Sequence, residues 1–127
     1  MRARDNVANA SDLQKQVLSD GLVEAATTLL AMLSDATRLR LAASLLDGEQ
    51  DVTTLTEAVG AARPAVSQHL GKLRLAGVVR VRRDGRRQLY ALADTHVRRL
   101  VTEALYTAEH RLSDRPAHHG PPLPRTR

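Results

Sequence analysis

Two groups of side chains in this 127-residue sequence have types and spacings that could do chemistry. The first lies between Ala62 and Val79, where Arg63, Ser67, Gln68, Lys72 and Arg74 recur on one side of a helical repeat. Hydroxyl, carboxamide and cationic groups of this kind donate hydrogen bonds to base edges and phosphate oxygens. Shortly after it, Arg82, Arg83, Arg86 and Arg87 crowd around Asp84-Gly85, and four guanidinium groups at one turn suit a phosphate backbone. The second group has metal-ligating types. His96, His110, His118 and His119 fall in the last third of the chain with Asp94 and Glu109, and there is no cysteine. Imidazole and carboxylate donors suit Ni(II), Co(II) or Zn(II), and they disfavour Cu(I) and the thiophilic metals. A solvated basic helix face and an incidental histidine-bearing tail are the plain alternatives.

The elements that must position these groups follow from periodicity. Val66, Leu70, Leu73 and Ala76 repeat at 4, 3 and 3, the buried stripe of a helix, with Pro64 suited to its first turn and Gly77 to its end. Thr53 or Thr54 opens a short helix before it, carrying Leu55, Ala58 and Val59 and ending at Gly60. Two short helices joined by a Gly-containing turn form a helix-turn-helix. Beyond Gly77 the period changes. Val78–Arg83 and Gln88–Leu92 read as strands around Asp84-Gly85, a hairpin signal, with the arginines at its tip.

Further helices flank this unit. One spans about Asp12 to Leu33, with Leu22, Ala26, Leu29, Leu30 and Leu33 on one side and a break at Gly21. Another starts at Ser34 or Asp35, carries Leu39, Ala42, Ala43 and Leu46, and runs toward turn chemistry at Gly48-Glu-Gln-Asp. Asp94 caps a last helix that reaches about His110 or Leu112, with a stripe from Val97 through Leu100, Val101, Ala104 and Leu105 to Ala108. The first and last helices carry more apolar surface than one small domain needs, and a homodimer seam is the simplest sink for it. The expected organisation is a loose arm at 1–11, one domain at 12–110 and a tail at 111–127 whose composition favours disorder.

Composition narrows the function. Lysine and arginine number 19 against 14 acidic residues, for a formal charge of +5, which points to an anionic partner and to nucleic acid before a membrane surface. No apolar run approaches the roughly 20 residues of a membrane span, and no apolar signal core follows the first residues, so a cytoplasmic protein is expected. Tyr90 and Tyr106 are the only aromatics, too few for a platform that stacks single strands, which leaves double-stranded DNA. A metal-dependent hydrolase is disfavoured, because no nucleophile or Gly-rich phosphate loop accompanies the acidic residues.

Residues from about 22 to 110 resemble the ArsR/SmtB family of winged-helix, metal-responsive repressors. The matching stretches are Leu33-Ser-Asp-Ala-Thr-Arg-Leu-Arg-Leu, Val66-Ser-Gln-His-Leu-Gly-Lys-Leu-Arg-Leu-Ala-Gly-Val-Val, Arg82-Arg-Asp-Gly-Arg and Leu89-Tyr-Ala-Leu. The resemblance implies a mainly α, homodimeric winged helix-turn-helix, in the order α-α-α-α-β-β-α, that binds operator DNA and releases it when a metal binds. It implies that Ser67, Gln68 and His69 approach the major groove while Arg63, Lys72 and the wing arginines Arg82, Arg83, Arg86 and Arg87 hold phosphates. Asp94-Thr-His96 matches the start of the family's zinc-sensing helix, but Thr107 stands where a further ligand is expected. The sequence is more similar to the nickel/cobalt-sensing branch, whose ligands correspond here to His96, Glu109, His110, His118 and His119. Asp94 is either a sixth ligand or a helix cap. His96 and His110 are fourteen residues apart, about 21 Å along one helix, so one protomer cannot close a site with both. Two last helices packed antiparallel across a two-fold would bring them together. A zinc-responsive or metal-independent regulator of the same family is the alternative.

Overall fold

The computed structural model describes residues 18–114. Four of the five α-helices among the described residues begin at a side chain that accepts a hydrogen bond from the first turn, satisfying an amide with no partner inside the helix. Ser19 does this for α1 (Asp20–Leu33), Asp35 for α2 (Ala36–Ser44), Asp51 for α3 (Val52–Val59) and Asp94 for α5 (Thr95–Ser113). The exception is α4 (Arg63–Leu75), which follows Ala62 and starts instead with Pro64 in its first turn, where no amide proton is missed. A short 3-10 turn at Leu45–Asp47 ends α2. The turn between α3 and α4 begins at Gly60, whose left-handed φ of 68° suits a residue without a Cβ.

Several boundaries differ from those expected. The α1 helix shows no break at Gly21, because Ser19 caps it just upstream and Gly21 lies in the first turn; residues 12–17 lie outside the described residues. Asp51 opens α3, not Thr53 or Thr54. Gln50–Asp51 form a short strand, β1, where the sequence suggests only a turn. It pairs antiparallel with β3 (Arg87–Leu92), which also pairs with β2 (Val79–Asp84), giving the order β1-β3-β2. The two residues left between β2 and β3 are Gly85 and Arg86, so the hairpin turns one residue later than Asp84-Gly85 implies. A positive φ of 66° at Gly85 and none at Arg86 is the pattern of a type II′ turn. The arm at 1–11 and the tail from 115 onward, with His118 and His119, lie outside the described residues; α5 reaches Ser113, three residues into the expected tail.

The core lies where α2, α3 and α4 meet the inner face of the sheet. Leu41, Leu45, Leu55, Val66, Leu70, Leu73, Val78 and Val101 are fully buried there, each large side chain stabilising by about 1.5–3 kcal/mol. Val66, Leu70 and Leu73 anchor α4 by the stripe its sequence announces, which fixes its polar side outward. The α5 stripe divides. Val97 and Val101 are buried in the protomer's own core, Leu100 and Leu105 pack partly against it, and Ala104, Ala108 and Tyr106 stay exposed. On α1 only the C-terminal end, Leu29, Met32 and Leu33, meets the core, while Leu22, Val23 and Leu30 remain on the surface.

Candidate nucleic-acid interface

Burial of Val66, Leu70 and Leu73 leaves Arg63, Ser67, Gln68, Gly71, Lys72 and Arg74 exposed along α4. Among the described residues, Ser67 and Gln68 make no side-chain hydrogen bond and Lys72 makes no ion pair, so their donors remain available to a ligand. Arg63 is steadied by Thr53, whose Oγ1 accepts a 2.9 Å hydrogen bond from its guanidinium and so ties the starts of α3 and α4 together. Leu75, just beyond Arg74, is 91% exposed among the described residues.

Beside α4 stands the wing. A shallow cleft opens between it and the starts of α3 and α4, with Thr53, Arg63, Arg83, Arg86 and Arg87 on its walls. The four wing arginines are not equivalent. Arg83 and Arg86 have no ion pair among the described residues, whereas Arg87 lies 3.5 Å from both Asp51 and Asp84. Arg82 is engaged most firmly. Its Nε and Nη2 donate to Glu49 at 2.8 and 2.9 Å, a two-point pair across the outer face of the sheet. Strand alternation explains the split. Arg80, Arg82 and Asp84 lie on one face of β2 with Glu49 and Asp51 nearby, and Arg83 lies on the other. Leu89 and Ala91, buried outside the main core, share the outer face with that pair.

His69 is placed differently from its neighbours Ser67 and Gln68. Its ring is half-buried, and its Nδ1 lies 3.2 Å from the guanidinium Nη1 of Arg38 on α2, so it faces the protein interior side of α4 and not the exposed donor row.

Three carboxylates around this region are held below their ordinary range. A backbone amide of Arg38 stabilises the Asp35 carboxylate, and the guanidinium of Arg82 that of Glu49; the amide of Thr54 is the main cause at Asp51, with Arg87 adding to it. The same pairing raises Arg82 further above its ordinary value. A carboxylate whose folded pKa is depressed contributes stability above its unfolded pKa and loses it as pH falls through the folded value. The thermal midpoint should therefore hold from pH 7 to about 5 and fall below about pH 4, where unfolded Asp and Glu take up protons. Asparagine caps a helix as well as aspartate does. Asp35→Asn with Asp51→Asn should thus keep the fold and flatten part of that acid slope in pH-dependent thermal unfolding; an unchanged slope would remove these two groups as its source.

The metal-ligand candidates are spread along α5. His96 and His110 are both exposed, in its first and last turns, and Glu109 is exposed beside His110. Asp94 does cap the helix, its Oδ1 accepting from Val97 N at 2.9 Å, and its other oxygen has no partner among the described residues. Among the described residues no three His, Asp or Glu side chains come together as a metal cluster. His118 and His119 lie outside them.

Residues 35–81, from the cap of α2 through the middle of β2, match the model of the arsR family of bacterial regulatory proteins. Similarity extends further. The HTH-type transcriptional regulator KmtR of Mycobacterium tuberculosis is 47% identical over 102 residues, covering 80% of this chain and 78% of that protein. The chain belongs to the arsR family. NmtR, a second HTH-type transcriptional regulator of the same organism, is 43% identical over 100 residues, covering 76% of this chain and 82% of the relative. Among solved structures, the homodimeric winged helix-turn-helix domain of Mb0332 from Mycobacterium bovis superposes with a TM-score of 0.72 at 27% identity, over 79% of this chain and 93% of that one. The repressor BigR of Xylella fastidiosa gives 0.64 at 34% identity, over 80% and 96%. As an arsR-family member the protein is a DNA-binding transcriptional regulator and not an enzyme. Its fold is the winged helix-turn-helix, with α3 and α4 as the helix-turn-helix and β2–β3 as the wing. No helix among the described residues is long and apolar enough to cross a membrane.

Two functional features had no sequence signal of their own. Thr53 reads as a helix opener, yet it lines the cleft and holds Arg63. Glu49 reads as part of a turn, yet it occupies Arg82, 33 residues away. The packing of α3 on α4 places Thr53, and the pairing of β1 with β3 places Glu49.

Proposed function

We propose that this protein represses transcription as a cytoplasmic homodimer that binds operator DNA through α4 and the wing and releases it on binding Ni(II) or Co(II). The observation that carries the DNA-contact assignment is the outward row of Ser67, Gln68 and Lys72 beside Arg63 and beside Arg83 and Arg86, which have no ion pair among the described residues. In this reading Gln68 and Ser67 read bases, and Arg63, Lys72, Arg83 and Arg86 hold phosphates. Arg87 and Arg82 contribute less, since each already has an acidic partner.

Gln68→Ala should weaken operator binding by about 1–3 kcal/mol and spare random DNA. Arg86→Ala should weaken both alike and lower the salt slope by about one, and Arg82→Ala should change that slope less. Fluorescence anisotropy on operator and scrambled duplexes at several salt concentrations checks this. Equal losses for Gln68→Ala on both duplexes would remove its base-reading role.

Exposed Leu22, Val23 and Leu30 on α1 and Tyr106 and Leu112 on α5 support a dimer seam on these two helices. The seam would also serve the metal. His96, Asp94, Glu109 and His110 offer only nitrogen and oxygen donors, both histidines are accessible, and Asp94 keeps one oxygen open while capping α5. This donor set fits Ni(II), Co(II) or Zn(II). His96 of one protomer with Glu109 and His110 of the other, joined by His118 and His119 and with Asp94 as the sixth, would supply the five or six ligands that octahedral Ni(II) or Co(II) favours, and this ligand count favours them over Zn(II). A bound metal supplies binding energy for the DNA-free arrangement, and the dimer then gives up DNA by a reciprocal coupling of typically 1–3 kcal/mol. Operator affinity measured with chelator and with each metal in turn tests the reading. Equal affinity in every case would leave a metal-independent regulator.

A further inference from the structure

Arg38 is bonded to three helices at once. Its backbone amide donates to the Asp35 carboxylate at 2.9 Å as part of the α2 cap. Its guanidinium Nε donates to the carbonyl of Met32 at 2.7 Å, and its Nη1 meets His69 Nδ1 at 3.2 Å. The Met32 carbonyl lies in the last turn of α1, where backbone acceptors lack intrahelical partners and the helix dipole favours a cation. That turn has no basic residue of its own. The guanidinium therefore has a fixed seat on the end of α1, and from it reaches α4.

The chemistry of the second contact is one-directional. Arginine has five N–H donors and no acceptor, so Nδ1 of His69 must present its lone pair and the ring proton sits on Nε2. No other side chain bonds to His69 among the described residues. His69 also lies between the groups assigned to DNA, next to Gln68 and three residues before Lys72. A rotation of α4 about its axis that broke the Arg38 contact would move the whole donor row.

We propose that Arg38 is a positioning residue for DNA recognition: seated on the end of α1, it holds His69 in one tautomer and thereby sets the orientation in which α4 presents Ser67 and Gln68 to the operator. The inference rests on α4 being the DNA-reading helix. It gives His69 an indirect role, in place of a contact with the groove. The same clamp joins α4 to α1, the helix that carries Leu22 and Leu30, so a shift at one is felt at the other.

The test uses the full-length, metal-free protein and four variants, with anisotropy on operator and random duplexes. Asparagine places an oxygen acceptor close to where Nδ1 stands, so His69→Asn should bind operator within about twofold of the parent. His69→Ala and Arg38→Met should each lose roughly tenfold on operator with little change on random DNA, and the double variant should lose no more than either alone. The long-range proton–nitrogen spectrum of the folded parent should show His69 protonated at Nε2, a signature that does not depend on how well any variant folds. Protonation at Nδ1, full operator affinity in Arg38→Met, or losses that multiply in the double variant would each overturn the proposal. A direct base contact by His69 predicts the reverse pattern, a loss in His69→Asn and none in Arg38→Met. A parent that fails to prefer operator over random DNA would overturn the reading of α4 itself, and the proposal with it.

Discussion

Replacing Leu22 and Leu30 together with glutamate is expected to turn the dimer into monomers and to cut operator affinity roughly 10²–10⁴-fold. The affinity loss is what linkage of two half-site contacts supplies when it is removed. Leu22 is 47% exposed and Leu30 52%, large values for leucine on a helix whose C-terminal end alone meets the core. Glutamate is a good helix former and neither site is buried, so each protomer should keep its fold. Two carboxylates buried in an apolar seam without a cationic partner are costly. Leu100 on α5 is a poorer site for this test, since it packs partly on the protomer's own core and a charge there would disturb folding as well. Sedimentation gives the mass, circular dichroism the helix content, and anisotropy the affinity. A dimer of unchanged mass would move the interface off α1, and with it the geometric basis for sites shared between protomers.

His96→Ala is expected to leave operator binding by the metal-free protein intact and to abolish release by Ni(II) or Co(II). The parent should show a metal-induced loss of affinity within the 5- to 150-fold range typical of such coupling, and the variant none. The separation follows from the structure, because His96 is exposed in the first turn of α5 and, among the described residues, holds no other side chain in place. Replacing His118 and His119 with alanine should blunt the response without removing it. Both lie a few residues past His110, and a short segment can fold back over a site at modest entropic cost. Co(II) bound to the parent should show the weak visible absorption of six-coordinate geometry; a tetrahedral site would absorb several times more strongly. A tail double variant that responds as well as the parent would confine the ligands to α5 and its cap.

Much of this protein can be read from local sequence, for a local reason. The helices α2, α3 and α5 are set by caps, α4 by Pro64 in its first turn, and all by apolar residues three and four apart, interactions within one turn of chain that need no partner element. Val66, Leu70 and Leu73 announce the buried side of α4 and so its exposed donors, and Asp94 announces the start of α5. The wing is legible from two alternating runs around a glycine, although the turn sits one residue later, where Gly85 takes the positive φ and Arg86 the ordinary one.

What the tertiary structure alone decided is which of these groups are already occupied. Arg82 and Arg83 are adjacent and chemically identical. The strand pleat sends one toward Glu49 and leaves the other open, and Glu49 is in reach only because β1 pairs with β3. His69 lies in the same helical turn as Gln68, and a half-buried ring facing Arg38 becomes visible only once α2 is packed against α4. The apolar stripe of α5 reads as one surface, yet the core takes Val97 and Val101 and leaves Tyr106 and Leu112 outside. Periodicity reports that a face is apolar; which neighbour covers it depends on contacts between residues far apart in the chain, and those form only when the helices and the sheet come together.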